Sequence, residues 1–390
     1  MPHSRIKLLH VIGTFLNGGT ERLMLDILSR LDRGAFDITA CAYGNQQLPS
    51  VVAAYQRAGI RTVTFHLQAG AQLVWALARY ISRHGFEIVH THHYQPNTYC
   101  RPAAILARTP IIMTYQHNWP GRERARHRVI FRVLNLWTAK NIAVSEPIRR
   151  YVIDMVGVAP HKVVTLRNGV NTELFRPSTA GEKAEVRRRF GLPPHGVVVG
   201  TVGRLVEWKR MELLIRAARE ILVAARSTHF VIAGDGEMRQ AWTDLARDLG
   251  IGAQVHFLGW RADVHKVYRA LDIFCITSES GGDSFSGEGF GLVSAEAMAS
   301  GLPIVAVDND VNREIITLAC ALFCPPTPQG IATTVTQLIL ETELRAHLAL
   351  AARSRAVHHY DIRRTVQELS DIYRQATEDR GRCDARQQAD

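Results

Sequence analysis

Two carboxylates, Glu288 and Glu296, stand in SGEGFGLVSAEAMASGLPIVAV, residues 286–307, with seven residues between them. Gly287, Gly289 and Gly291 surround the first and leave room for a backbone to approach a ligand closely. Leu292 to Ala299 is rich in Ala, Leu and Met, which predicts a helix. Gly301 and Pro303 stop it. PIVAV has the short apolar run of a buried parallel strand. The glycines therefore fall at a helix N-terminus, where N–H groups and the helix dipole favour an anion. Glu296 lies among Ala295, Ala297, Met298 and Ala299, where a charge needs partners. The hydroxyls of a ribose would supply them. The other reading is a solvated glutamate on one helix face.

A second group of residues is cationic. VVVGTVGRL (197–205) reads as an apolar strand ending in Gly203-Arg204, and Lys209 follows five residues on. Two cations at the mouth of a strand–loop–helix can clamp a diphosphate, although Arg and Lys are usually solvated. Near the N-terminus, GTFLNGGT (13–20) lies between a predicted strand at 6–12 and a predicted helix at 21–31. Gly13 and Gly18 have P-loop spacing, but Gly19 and Thr20 follow where that motif needs Lys and then Ser or Thr. The dinucleotide fingerprint G-x-G-x-x-G is absent too. His92 and His117 fall at predicted strand ends. The run HTHH holds His90, His92 and His93, yet no acid or Cys stands nearby at ligand spacing, so a metal is not expected there.

The string EGFGLVSAEAMASGLPIV resembles the E-x7-E signature of retaining glycosyltransferases of GT-B fold, specifically glycosyltransferase family 4. GRL-x3-K, around Arg204 and Lys209, matches the same family. The resemblance covers nearly the whole chain and is densest between 197 and 314. It implies that Glu288 faces the donor sugar and Glu296 binds the ribose, while backbone from Phe290 through Gly291 to Leu292 meets sugar and phosphate. The loop carrying Gly18 and Gly19 would lie beside the donor phosphates. Gly203, Arg204 and Lys209 would grip the pyrophosphate, Trp260 and Arg261 occupy the region of the base, and His117 stands near the donor sugar. The catalytic set is thus Glu288, His117, Lys209 and Arg204. No Asp-x-Asp metal motif is present where the phosphates would sit, so neither metal nor other cofactor is expected. The substrates implied are a UDP- or GDP-linked sugar and a glycan or lipid-linked acceptor. Two loops depart from the family: TSESGGDSFSG (277–287) is longer and more polar, and DNDVNRE (308–314) replaces a Gly-Gly turn before the acid matched by Glu314. Both leave the donor sugar open. Three other activities share some of these features. A glycoside hydrolase needs carboxylates flanking the scissile bond, with no use for a diphosphate grip. An epimerase of this fold would turn over the sugar nucleotide without acceptor. A non-catalytic binder would be expected to have lost Lys209 or Glu288.

The elements that must position these residues alternate. Strands are predicted at 36–43, 61–67, 86–92 and 110–117, with a helix at 71–83, a βα rhythm that gives a parallel, doubly wound α/β sheet. Further strands are expected at 197–205, 272–278 and 303–307, with a strand and Gly-rich turn over 229–237 and a strand and loop over 255–264. The expected organisation is an N-terminal acceptor-binding Rossmann-like domain over 1–177 and a nucleotide-sugar-binding one over 178–357. A last helix is expected at 358–376, which in the resembled fold crosses back onto the first domain, and 377–390 is expected to form a tail. Residues 178–196 read as linker. With 390 residues and 46% hydrophobic content the chain can build such cores. The net charge of +11 is concentrated in residues 1–180, which carry +13. Residues 121–138 (GRERARHRVIFRVLNLWT) place Arg122, Arg124, Arg126 and Arg128 before an apolar run of Val129, Ile130, Phe131, Val133, Leu136 and Trp137, with Arg132 inside it. That pattern fits an interfacial helix on an anionic membrane, or an ordinary amphipathic helix packed on the sheet. No nucleic-acid motif appears. Scattered cysteines, the lack of a long apolar run and an N-terminus that reads as a strand point to a cytoplasmic protein, peripheral at most on the inner face of the membrane.

Overall fold

The computed structural model describes residues 5–118, 125–278, 280 and 287–387. Arg122, Arg124, the Arg126 side chain and most of the 277–287 loop lie outside the described residues. The chain divides into two compact units, Met1–Asn168 with Ile362–Asp390, and Gly169–Asp361.

The first unit is built on seven strands: β1 (Ile6–Gly13), β2 (Phe36–Tyr43), β3 (Arg61–Phe65), β4 (Ile88–His92), β5 (Ile111–Gln116), β6 (Lys140–Ala143) and β7 (Val163–Thr165). They form one parallel sheet in the order β3-β2-β1-β4-β5-β6-β7. Side chains alternate across a strand, so each face has its own residue set. Leu9, Val11, Val89 and Ile112 cluster with Leu73, Leu77 and Ile81 of the Ala71–His84 helix. The alternate positions on β1 and β4 carry His10, His90 and His92, and Tyr373 of the Ile362–Gln387 helix closes over them. That helix runs well beyond residue 376, through the stretch read as a tail. Its Glu, Arg, Ala and Gln are good helix formers, and Gly381 alone costs about 1 kcal/mol.

The second unit holds β8 (Val198–Val202), β9 (His229–Ala233), β10 (Val255–Gly259), β11 (Ile273–Ile276), β12 (Ile304–Val307) and β13 (Ala321–Cys324). They too are parallel, in the order β10-β9-β8-β11-β12-β13. Residues 178–196 are more ordered than a linker. They include a helix, Ala180–Arg189, started by a reciprocal capping box between Thr179 and Glu182. Arg187 and Lys183 of this helix bind Asp272 at the start of β11, at 2.5 and 2.8 Å. Both units are thus doubly wound α/β sheets, as the βα rhythm predicted. Each sheet reverses its strand order once, at β1/β4 and at β8/β11. Such switch points open a crevice at the carboxyl ends of the strands, where ligands bind. Among the described residues no helix is long and apolar enough to cross a membrane.

Candidate active site

The residues singled out in the second half of the chain gather at the β8/β11 switch point. β8 runs into Gly203 and an exposed Arg204. A single 3₁₀ turn, Glu207–Lys209, then turns Lys209 inward, leaving it only 7% exposed. Its ammonium forms an ion pair with Glu288, on the loop that follows β11. It also lies 4.6 Å from the centre of the Trp208 ring. Thr277, just past β11, donates its hydroxyl to the Lys209 carbonyl at 2.7 Å and ties the two loops together. Lys209 and Glu288 were expected to act on different parts of one ligand; here they hold each other.

Glu288 leads into the Leu292–Ala299 helix, which begins as predicted. Gly291 caps it in the left-handed region, at φ +77°, where a side chain would be strained. Gly291, having no side chain, makes no side-chain capping hydrogen bond here. Glu296 is half-buried and accepts a hydrogen bond from the Tyr268 hydroxyl at 2.7 Å. The partner demanded by a charge in this apolar setting therefore comes in part from the protein. Nothing in the sequence around Tyr268 marks it for this. Phe290 is buried against Tyr360, ring centres 5.6 Å apart. Trp260 is 52% exposed after β10. Arg261 is tied to Asp263 at 2.9 Å and lies over the Phe190 ring. In place of a Gly-Gly turn, Asn309 caps a short helix, Asp310–Ile315, that carries Glu314.

At the β1/β4 switch point of the first unit there is a pocket of about 300 Å³ lined by Gly13, Thr14, Glu21, His93, Tyr94 and Gln116, among others. Gly18 and Gly19 start the Gly19–Leu28 helix beside it. A Cβ on Gly18 would stand 2.0 Å from a Glu21 carboxylate oxygen, so a larger residue would push the Glu21 side chain from its place. Glu21 also accepts from Thr14 at 2.6 Å. His93 takes φ +65°, an uncommon conformation for a non-glycine residue. Glu21 and Thr14 are not marked as site residues by the sequence, and His93 stands out there only within the HTHH run. A carboxylate directly after a Gly-Gly loop was the available signal.

His117 is buried at the end of β5. Its Nε2 lies 3.1 Å from His92 Nδ1, and its Nδ1 is buried without a hydrogen-bond partner among the described residues. His92 Nε2 lies 3.0 Å from His10 Nδ1. The Tyr373 hydroxyl is 2.7 Å from His90 Nδ1 and 3.2 Å from His10 Nε2. Burial lowers the His10 pKa to about 3. Burial, reinforced by neighbouring imidazoles, holds His90, His92 and His117 well below the ordinary histidine value. All four rings are neutral at physiological pH.

This cluster corrects the expectation that the protein is independent of metal. One ring nitrogen from each of His10, His90 and His92 lies within 4.8 Å of those of the other two, a grouping able to hold a metal ion. The HTHH run shows two of these ligands. The third comes from β1, eighty residues earlier, because parallel pairing sets His10 opposite His90. A scan for nearby acids or cysteines does not find it.

Two family descriptions match the chain, Glycosyltransferase Family 4 over residues 17–174 and Glycosyl transferases group 1 over residues 182–355. With its two doubly wound sheets, the chain belongs to the GT4-like glycosyltransferases of GT-B fold. It is 29% identical over 364 residues to the D-inositol 3-phosphate glycosyltransferase of Saccharomonospora viridis, covering 85% of this chain and 76% of that protein. It is 25% identical over 388 residues to the UDP-Gal:alpha-D-GlcNAc-diphosphoundecaprenol alpha-1,3-galactosyltransferase of Escherichia coli, covering 95% of this chain and 97% of that one. In fold it is similar to Anabaena HepE, crystallised with UDP-glucose. There the TM-score is 0.83 at 20% identity, over 95% of this chain and 100% of that one.

Proposed function

We propose that this glycosyltransferase moves a sugar from a nucleotide diphosphate sugar, UDP-linked in preference to GDP-linked, to a hydroxyl of a glycan or lipid-linked acceptor, with retention of anomeric configuration. The setting is synthesis of a cell-surface polysaccharide, lipopolysaccharide or glycolipid. The observation that carries the reading is the Lys209–Glu288 pair at the β8/β11 switch point, beside the glycine-capped helix start. UDP is favoured because the E. coli relative is named for UDP-Gal and HepE was crystallised with UDP-glucose.

In this reading the diphosphate lies over the N-terminus of the Leu292–Ala299 helix and takes the Lys209 ammonium from Glu288. Arg204, exposed at the same mouth, closes on the phosphates. As the glycosidic bond breaks, negative charge grows on the leaving diphosphate, and fixed cations and backbone N–H groups stabilise it there. Glu288, released from Lys209, orients the sugar. Glu296, held by Tyr268, accepts from the ribose hydroxyls, and the nucleotide base lies toward Trp260 and Arg261. The acceptor oxygen attacks from the face the phosphate leaves, and the departing phosphate takes its proton. The acceptor binds the first unit, where the pocket at β1/β4 offers Glu21, Thr14 and His93 to hydroxyl groups. His117 stands behind that pocket and serves the reaction from the end of β5.

An exposed apolar stripe supports a lipid-linked acceptor. On the Ala125–Leu134 helix and the turn after it, Val129, Val133, Leu136 and Trp137 are 59%, 48%, 71% and 53% exposed. Phe131 turns inward instead, stacking on Tyr94 and under Arg101. An apolar stripe on a unit of net positive charge fits the interface of an anionic membrane. The test is an assay with UDP-glucose and UDP-galactose, with and without a diphosphoundecaprenol-linked sugar acceptor, and proton NMR of the product anomer. Acceptor-dependent transfer with an α product from an α donor is expected. Turnover without acceptor would favour an epimerase, and a β product would end the retaining assignment.

A further inference from the structure

We propose that His10, His90 and His92 bind one d-block cation, zinc(II) fitting best, and that this ion fixes which nitrogen of His117 carries the proton. The second half of the proposal rests on the role given to His117 above; the first does not.

Without an ion the distances admit the protons in either sense along Tyr373, His10, His92 and His117, and an ion on the three histidines selects one arrangement. Tyr373 Oη is within reach of both His90 Nδ1 and His10 Nε2. A hydroxyl oxygen has two lone pairs and can accept an N–H from each. With those protons in place, His90 Nε2 and His10 Nδ1 carry lone pairs. His92 can likewise donate from Nδ1 to His117 Nε2, leaving a lone pair on His92 Nε2. Two observations then fall together. His10 Nδ1 and His92 Nε2 stand 3.0 Å apart, a spacing that either a shared proton or a bridging cation satisfies. His90 Nε2 is buried without a hydrogen-bond partner among the described residues, a state that calls for an explanation. A metal ion satisfies all three nitrogens.

The chemistry of the set selects the ion. Three neutral imidazoles without a carboxylate suit zinc, copper, nickel or cobalt and not magnesium or calcium. Zn–N bonds of about 2.0–2.1 Å in a tetrahedral site place nitrogens roughly 3.3 Å apart. The His10–His92 edge is already near that spacing. The outer partners are of the usual kind, since a ligating histidine normally donates its other N–H to a neighbour. Tyr373 serves His10 and His90, and His117 serves His92. With His117 Nε2 accepting, its proton sits on Nδ1, so His117 is a hydrogen-bond donor there.

The experiment uses the full chain without an affinity tag. Elemental analysis should find about one zinc per chain, or one cobalt after dipicolinate treatment and loading with cobalt(II). Cobalt loading should give a visible ligand-field spectrum that His90→Gln removes. Zinc(II) added to the stripped protein should raise the melting temperature by several degrees. Imidazole ¹⁵N NMR should show His117 protonated at Nδ1 in the loaded form. The half-buried pair His229 and His256, 3.1 Å apart, is the control. His229→Ala should leave stoichiometry and spectrum unchanged. If His90→Gln does not fold, the wild-type cobalt spectrum and melting shift still decide. Binding below about 0.1 equivalent, with no melting shift from zinc(II) or cobalt(II), would overturn the site. A spectrum lost in His229→Ala would do the same. Metal bound in a protein that transfers no sugar would leave this site standing and sink the proposed function instead.

Discussion

Lys209 and Glu288 show what a linear reading of a site can miss. Each was visible in its own motif, because GRL-x3-K and E-x7-E are local strings. Their ion pair was not, because 79 residues separate them and only the adjacency of β8 and β11 brings the loops together. Tyr268 was invisible for the same reason, lying 28 residues from Glu296. The pairing predicts a division of labour. Lys209→Ala and Arg204→Ala should each reduce transfer by about 10- to 1000-fold, the scale of one electrostatic contact in a transition state, with circular dichroism unchanged. Near-normal turnover in both variants would remove them from the mechanism. Tyr268→Phe leaves Glu296 short of one donor. It should weaken binding of the free nucleoside diphosphate about five-fold, the equivalent of a hydrogen bond of about 1 kcal/mol. An unchanged affinity would detach Glu296 from the ribose.

At the scale of elements, most strands were legible, since parallel buried strands are short apolar runs. FDITACAY matches β2 residue for residue. β13 is not legible, because ALFC follows no clear turn signal. The Ala180–Arg189 helix was taken for a linker because its charge and flanking Gly and Pro hide its capping box. This helix carries a pH-dependent contact. Burial would raise the Asp272 carboxyl, but Lys183, the Val198 N–H and Arg187 outweigh burial and hold it below its ordinary value. The folded state therefore binds that proton less readily than the unfolded chain. The stabilisation is complete above about pH 4 and is lost as the pH falls through the folded value. Asp272→Asn should lower unfolding stability at pH 7 by about 2–3 kcal/mol, since it strands Lys183 and the buried Arg187. Urea melts from pH 7 to pH 3 should show the variant losing less stability on acidification than the wild type. Parallel losses would place the acid sensitivity elsewhere.

At the scale of the molecule, two doubly wound sheets followed from the alternation of strands and helices, and the excess positive charge of the first half was a matter of counting. The histidine cluster was not legible, because its ligands come from β1 and β4 and meet only when the sheet forms. Charge and the exposed stripe together predict membrane binding. Flotation with vesicles containing anionic lipid should carry the protein upward at low salt, less so at high salt, and Leu136→Glu with Trp137→Glu should abolish it. Failure to float at low salt would favour a soluble acceptor. The central claim is that the β8/β11 switch point grips a nucleoside diphosphate, and calorimetric titration of UDP into the wild type and Lys209→Ala tests it most directly. The account predicts one site per chain in the wild type and an affinity at least about ten-fold weaker in Lys209→Ala, from loss of a charge-assisted contact. Equal affinity in the two proteins would contradict it.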